Sequence, residues 1–468
     1  MNISLTKEQQ STLTQLNFFL AAPGSGVFIL KGYAGTGKTY LLQQLAGKLK
    51  KDKKKFVLLA PTGRAAAVLR SKTDLEAKTI HSEIYQFSDV DGEADENMKD
   101  PTINDFGQMR LLFGLRGHDT EEKKIYIIDE ASMVSDEPGD PTSYAHFGSG
   151  HLLSDLLLTA GTNKIIFAGD PAQLPPITQS NSPALEEKWM RSQGKIVQSA
   201  ELNTILRQKA DSGILKLATK VRNLTERSVS EKWVKLPARG ISNISLMGYQ
   251  ELKQKYLQDF EAGGIETNIA ICHSNAKCIE ISKSIRQKRY GNPMAGLQNG
   301  DILMVTQNNY IVPLVNGDFV EVVFIGQPVR HAGIGFLHVR VKAVHNKLEY
   351  EILLCNDILF SGAPNLSNDQ QRLLMIDFSK RMRANGVKPK SQRYYAALET
   401  DPYMNSLRAN FGYAVTCHKS QGGEWDNVYL FLHKSMYIMN QLSLTRWWYT
   451  AITRAKEKLF IVDDWWIK

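Results

Sequence analysis

The octapeptide GYAGTGKT, Gly32 to Thr39, constrains this chain more than any other stretch. The apolar run Val27 to Leu30 precedes it and the helical pattern YLLQQLAGKL follows, the strand, loop and helix context that a phosphate-binding loop requires. Its glycines let the backbone curl so that N–H groups and a helix N-terminus face a phosphate, while Lys38 offers a point charge to the β and γ oxygens. Thr39 supplies a hydroxyl to Mg²⁺. The expected nucleotide contacts are therefore Gly32, Ala34, Gly35, Thr36, Gly37, Lys38, Thr39 and Tyr40, with ATP and Mg²⁺ as cofactors. The competing reading, a Gly-rich turn that binds nothing, leaves the flanking strand and helix unexplained.

Such a loop needs an acidic side chain at the end of a neighbouring strand to hold the metal. The segment IYIIDEAS supplies it. Asp129 is placed to bind Mg²⁺, directly or through water, and Glu130 to polarise an attacking water as general base. Adjacent acids can also be a solvated turn, but after four apolar residues and downstream of a phosphate loop they read as a hydrolase signature.

The remaining chain repeats a rhythm of apolar run, turn and helix, which is that of parallel α/β architecture. Val27 to Leu30, Phe56 to Ala60, Ile125 to Ile128 and Ile165 to Ala168 form one set. Ile269 to Cys272, Tyr413 to Thr416, Val428 to Leu432 and Leu459 to Val462 form a second. Two sheets are expected, and 468 residues exceed the roughly 250–300 at which single cores stop growing. Asp301 to Val344 alternates β-rich runs with turns such as Asn316-Gly317-Asp318, and a polar helical stretch from Asn368 to Arg393 follows. Gln86 to Lys124, acidic and turn-rich before MRLLFGL, has the pattern of an insertion between strands of the first sheet. The Gly- and Pro-rich stretch from Ser135 to Gly150 reads as a flexible surface loop. The basic run Lys48 to Lys55 reads as a solvated helix end.

Lys and Arg number 57 against 48 Asp and Glu, a formal charge of +9, which favours a polyanionic partner. No apolar run approaches membrane-spanning length, and the N-terminus has neither a basic nor an apolar leader region, so no membrane association and a cytoplasmic location are expected. Cys272, Cys278, Cys355 and Cys417 show no CxxC pairing, which argues for reduced thiols over zinc or disulfides.

GDPAQLPP, Gly169 to Pro176, stands where superfamily one helicases carry motif III. LTKEQ, Leu5 to Gln9, resembles the adenine-reading Q motif. APTGRAA, Ala60 to Ala66, and KTIHS, Lys78 to Ser82, look like motifs Ia and Ib. ELNTILRQ, Glu201 to Gln208, resembles motif IV, TCHKSQGGEW, Thr416 to Trp425, motif V, and YTAITRAKEKLFIV, Tyr449 to Val462, motif VI. With the motifs in family order from Leu5 to Val462, the chain resembles the RecD-like and Dda-like DNA helicases of superfamily one, subclass B.

That resemblance implies an α/β fold of two RecA-like P-loop NTPase domains, with a small insertion in the first and a β-rich, SH3-like insertion in the second. The first motor domain is expected at 1–85 and 123–200, a pin or wedge subdomain at 86–122, the second motor domain at 201–318 and 406–468, and the β-rich subdomain at 319–405. It implies an ATP-dependent DNA helicase. The LPP ending of motif III and HKSQG in motif V point to the branch moving 5′ to 3′. Gln173 would sense the γ-phosphate, Gln9 the adenine, and Glu424 would also contact nucleotide. Arg207 and Arg454 are the expected arginine fingers: charge on the γ-phosphate in the transition state is then stabilised only when the two sheets close, which couples hydrolysis to movement.

Single strands are gripped by polar contacts to phosphate and by stacking on bases. Pro61, Thr62, Arg64, Thr79 and His81 on the first sheet, and Thr416 and His418 on the second, are the candidates. Each histidine could instead be a satisfied structural residue. Trp447, Trp448, Trp465 and Trp466 beside a terminal strand read as core packing. The insertion is expected to part the duplex, with Phe113 as either the base-capping aromatic or part of the insertion's own core. A monomeric motor acting on single-stranded and tailed duplex DNA is the leading reading. Its rivals are an NTPase switch that grips nucleic acid without separating strands, and an RNA helicase.

Overall fold

The computed structural model describes residues 5–91, 110–117, 123–139, 145–177, 179–205, 212–226, 233–389 and 391–468. The four apolar runs of the first half enter one six-stranded parallel sheet, ordered Ala77–Thr79, Phe56–Ala60, Ile125–Ile128, Lys164–Gly169, Gly26–Gly32, Val197–Leu202. These runs are continuously apolar because both faces are covered. Along Gly26–Gly32, Val27 and Ile29 enter one core while Phe28 and Leu30 enter the core on the opposite face. The later runs form a five-stranded parallel sheet, ordered Ile244–Met247, Ala455–Val462, Trp425–Phe431, Asn268–Cys272, Ala414–Thr416. Two parallel sheets, the first with a phosphate loop after Gly26–Gly32, make the expected pair of RecA-like domains.

The β-rich insertion is larger than expected. Its antiparallel sheet runs Glu349–Cys355, Ile334–Ala343, Phe319–His331, Ile302–Val305, Ala409–Phe411. Boundaries at 319 and 405 therefore leave out Ile302–Val305 and Ala409–Phe411. Every residue of Ile302–Val305 is buried because the strand is interior to the sheet, so its apolar run has the same pattern as a motor-sheet strand.

The first insertion is also differently composed. Tyr85–Asp91 pairs antiparallel with Arg110–Leu115, and Ala145–Phe147 adds a third, parallel strand. Residues 145–150 are thus an anchored strand and turn, not the flexible loop that their composition suggested. Ser149 donates to the buried Asp155 from both its N–H and its hydroxyl, and Tyr85 donates to the same carboxylate at 2.7 Å. Gly148 is held at φ 50°, where an added Cβ would stand 2.1 Å from Asp155 Oδ2. The acidic stretch 92–109 lies outside the described residues.

The two insertions touch. The Phe87 ring meets Tyr395 at 5.3 Å, and Phe87 and Leu111 pack on the cluster of Met375, Phe378, Tyr394 and Leu398. Phe113 is buried against Phe147, ring centroids 4.6 Å apart. It joins the core cluster of the first lobe and at the same time lines the groove between the lobes, 6.3 Å from the Tyr310 ring. Among the described residues the four cysteines are free, Trp447, Trp448 and Trp466 are buried, and no helix is long and apolar enough to cross a membrane.

Candidate functional site

The phosphate loop is shaped by glycine. Gly35 and Gly37 take φ of 82° and 81°, and a Cβ on Gly32 would stand 2.9 Å from both Lys38 Cγ and Thr36 Oγ1. Gly37 opens the helix Lys38–Lys51, so Lys38 and Thr39 sit at its positive end. Lys38 Nζ donates to the carbonyls of Gly32 and Tyr33, at 2.5 and 3.3 Å. Thr39 donates to Asp129 Oδ2 at 3.1 Å, bringing together the two expected metal ligands. Burial, then the charge of Glu130, pushes the Asp129 carboxyl up to about 6. Glu130 itself is held in the left-handed region, φ 52°, a strained position for a residue with a side chain.

Gln9, buried, donates to the Thr36 carbonyl at 2.9 Å and accepts from the Thr6 N–H. Its amide braces the loop from behind. Tyr40 is half-buried on the first helical turn. Gln173 is buried with its Oε1 lacking a hydrogen-bond partner, an acceptor facing no donor of the described protein.

Arg454 lies away from this loop. Its guanidinium donates to the carbonyls of Thr450 and Gly423 and to the Thr453 hydroxyl, all in the second lobe. Glu424 forms an ion pair with Lys72 at 3.3 Å, at the surface between the lobes. Arg207 lies outside the described residues.

A groove of 1270 Å³ runs between the lobes and both insertions. Pro61, Thr62, Thr79 and His81 line it, opposite Thr306, Asn308, Tyr310 and the segment 361–368. Thr62 and Thr79 cap the helices Gly63–Thr73 and Ile80–Ile84, accepting from Ala65 and Ser82 N–H. His81 packs edge-on to Phe147 at 5.2 Å, and burial pushes its imidazole down to about 4.

Arg64 is not in the groove. It lies between the lobes, 4.2 Å from the Trp425 ring and 4.9 Å from Phe319, and burial pushes it down to about 10. Thr416 precedes the short helix Cys417–Ser420 without a side-chain capping bond and faces a neighbouring cavity, and burial lowers the affinity of His418 for a proton.

Residues 4–235 match the AAA domain family, and residues 411–462 match the UvrD-like helicase C-terminal domain. The RecBCD enzyme subunit RecD of Buchnera aphidicola is 24% identical across 98% of this chain and 73% of its own. The ATP-dependent DNA helicase Pif1 of Bdellovibrio bacteriovorus is 35% identical over 38% of this chain and 34% of its own. A Pif1 helicase from Bacteroides, solved with ADP-AlF3 and single-stranded DNA, has the same fold, with a TM-score of 0.50 at 16% identity over 100% of this chain and 94% of that one. The chain is thus similar to RecD and Pif1 helicases in sequence and shares the Pif1 fold. It spans only about a third of the length of some curated relatives that it matches.

The phosphate loop is clasped by second-lobe residues that the motif patterns did not single out. The Tyr449 hydroxyl accepts from the Ala34 N–H at 2.9 Å and donates to the buried Asp170 at 2.8 Å. Thr450 accepts from the Leu174 N–H, and Gln421 donates to the Leu174 carbonyl, so the loop carrying Gln173 is bound to motifs V and VI. Arg222, on the helix Gly213–Glu226, sits 4.0 Å over the ring of Tyr33. One signal in the sequence could have found the first two: Tyr449 and Thr450 are hydroxyls at buried positions of the largely apolar helix Gln441–Ile452.

Proposed function

We propose that this chain is an ATP-dependent DNA helicase that travels 5′ to 3′ on a single strand and unwinds duplex ahead of it, acting as a monomer. The observation that carries this reading is the Tyr449 hydroxyl, bonded at once to a phosphate-loop N–H of the first lobe and to Asp170 in the motif III loop. A hydroxyl so placed links the contents of the loop to the position of the second lobe, as a motor requires and a plain nucleotide-binding protein does not.

On this reading Lys38 binds the β and γ oxygens, Glu130 orients and deprotonates water, and Gln173 uses its free oxygen to hold that water. The Thr39 and Asp129 oxygens suit Mg²⁺, a hard cation that takes oxygen ligands. Mg²⁺ there would neutralise charge on the phosphates. Arg207 and Arg454 serve as fingers, Arg454 by exchanging the Gly423 and Thr453 contacts for phosphate as the lobes shift. The hydroxyls of Thr62 and Thr79 hold strand phosphates in the groove, and the insertion 86–122 stands in the path of the duplex.

The test is unwinding of DNA duplexes with a 5′ or a 3′ single-stranded tail, in ATP and Mg²⁺. Unwinding of the 5′-tailed substrate alone is expected. Preference for the 3′ tail would overturn the polarity. Strand-stimulated hydrolysis with neither substrate unwound would favour a switch, and preference for RNA duplex would change the substrate.

A further inference from the structure

A second cavity, of 180 Å³, opens beside the strand Ala414–Thr416. It lies wholly within the second lobe, between the helix Asn275–Tyr290 and the antiparallel sheet. Its floor is rigid. Arg286, fully buried, pairs with Asp301 and donates to the carbonyls of Pro293, Ala295 and Gly296. The guanidinium lies 4.2 Å from the Phe411 ring, which Phe360 meets at 5.3 Å and 66°. A pocket held this way is preformed, so occupation would cost little ordering.

The lining is apolar and partly open to water: Phe360 is 37% exposed, Ile279 38% and Met294 52%. Exposed apolar side chains gathered at one opening mark a binding surface. Polar groups are few and placed at one side. Asn410 donates from Nδ2 to the Ala363 carbonyl, while its Oδ1 is buried with no partner. Thr416 and Lys419 complete the wall, and burial lowers the affinity of Lys419 for its proton, which an adjoining anion would offset. The cavity also adjoins the groove. Pro364 lines both, and Ser361, Ala363 and Asn365 beside it line the groove alone.

We infer that this cavity receives one nucleobase of the single strand lying in the groove, with its phosphate at Thr416 and Lys419. The inference rests on the helicase reading above. A cavity of about 150 Å³ takes a benzene ring, so this one has room for the six-membered ring of a base. The Phe360 and Phe411 rings offer the stacking that every base accepts. The free Asn410 oxygen can accept from an amino or imino N–H, and all four bases carry one. The site would therefore be tolerant of sequence. Because every wall belongs to the second lobe, a base seated there would travel with that lobe as the cleft opens, giving it a hold on the strand that phosphate contacts alone do not supply.

The test is equilibrium binding of oligothymidine strands in which one abasic nucleotide is moved along the sequence, measured by fluorescence anisotropy. The parent should lose roughly 5- to 150-fold in affinity at one position, the range that stacking on an aromatic side chain supplies. Ile279→Trp, which fills the mouth from an exposed position, should erase that dip, and Phe360→Ala should reduce it should the first variant fold poorly. A flat scan in a parent that binds strand, or a dip that persists in both variants, overturns the pocket and leaves the helicase reading standing. A parent that binds no strand at all overturns both.

Discussion

The nucleotide site draws Lys38 and Thr39 from one loop and Asp129 and Glu130 from one strand end, whereas the groove gathers Thr62, Thr79, and Asn308 with Tyr310 from three separate segments around 1270 Å³. The first region is closed and charged: Asp129 and Asp170 are buried, and second-lobe hydroxyls hold the surrounding backbone. The second is open and mostly uncharged, lined by hydroxyls, amides and rings. Chemistry at a phosphorus atom needs donors fixed before the reaction, and a short contiguous motif at a helix end fixes them. A strand that must be released in every cycle is better served by many weak, exchangeable contacts.

Removing Lys38 should separate the two regions most sharply. Lys38→Ala takes a positive charge from the phosphates, and hydrolysis should fall by roughly 10²–10³-fold or more. Strand affinity should stay within about threefold, since no groove residue contacts Lys38 among the described bonds. Steady-state hydrolysis and anisotropy measure the two. Equal turnover in variant and parent would remove Lys38 from the mechanism, and a parallel loss of strand affinity would mean that the regions are not independent.

A change in the groove wall should have the opposite signature and a smaller size. At Gly148, φ 50° and the 2.1 Å approach of Asp155 leave no room for a methyl group. Gly148→Ala should cost about 1–3 kcal/mol and loosen Ala145–Phe147 from the insertion sheet. Hydrogen exchange should rise in Arg110–Leu115, which pairs with that strand, and unwinding should weaken while hydrolysis without DNA is kept. Unchanged exchange would mean that the strand is held by the stacked Phe113 and Phe147 rings alone.

The same contrast explains what the sequence made legible. The interior strands and the phosphate loop are locally encoded, an unbroken apolar run and then glycines, so Val27 to Thr39 could be read directly. The edge strand Val197–Leu202 buries only its first and last residues in VQSAEL and offers no such run. Arg64 sits in a motif whose pattern suggested a strand contact, yet its partners Trp425 and Phe319 are more than 250 residues away, and distance in sequence carries no signal of burial. Arg222 and Tyr449 meet the loop only through folding of the whole second lobe. Local chemistry was readable, and contacts between lobes were not.

Proton uptake should distinguish the regions most gently. The Asp129 carboxyl is pushed up to about 6, above its value of 3.8 in a free chain, because burial and the neighbouring Glu130 disfavour its charge. A raised carboxyl binds its proton more tightly in the folded protein, so this group makes the metal-free fold less stable as pH rises from about 4 to 6. Mg²⁺ needs the ionised form and would relieve that penalty. The thermal stabilisation given by Mg²⁺ with nucleotide should therefore be full above about pH 6 and fade below it, with affinity falling at most tenfold per pH unit, as competition by one proton dictates. His81 behaves differently. Burial pushes its imidazole down to about 4, so it stays neutral from pH 5 to 8, and its role in the groove is that of a ring packed on Phe147. Strand affinity measured at constant ionic strength should accordingly stay nearly level over the interval in which nucleotide affinity changes, and His81→Phe should alter it by less than about threefold. A strand-binding inflection near pH 6 that disappears in His81→Phe would show a charged histidine on the phosphate backbone, and would make the groove a second electrostatic site instead of a neutral one.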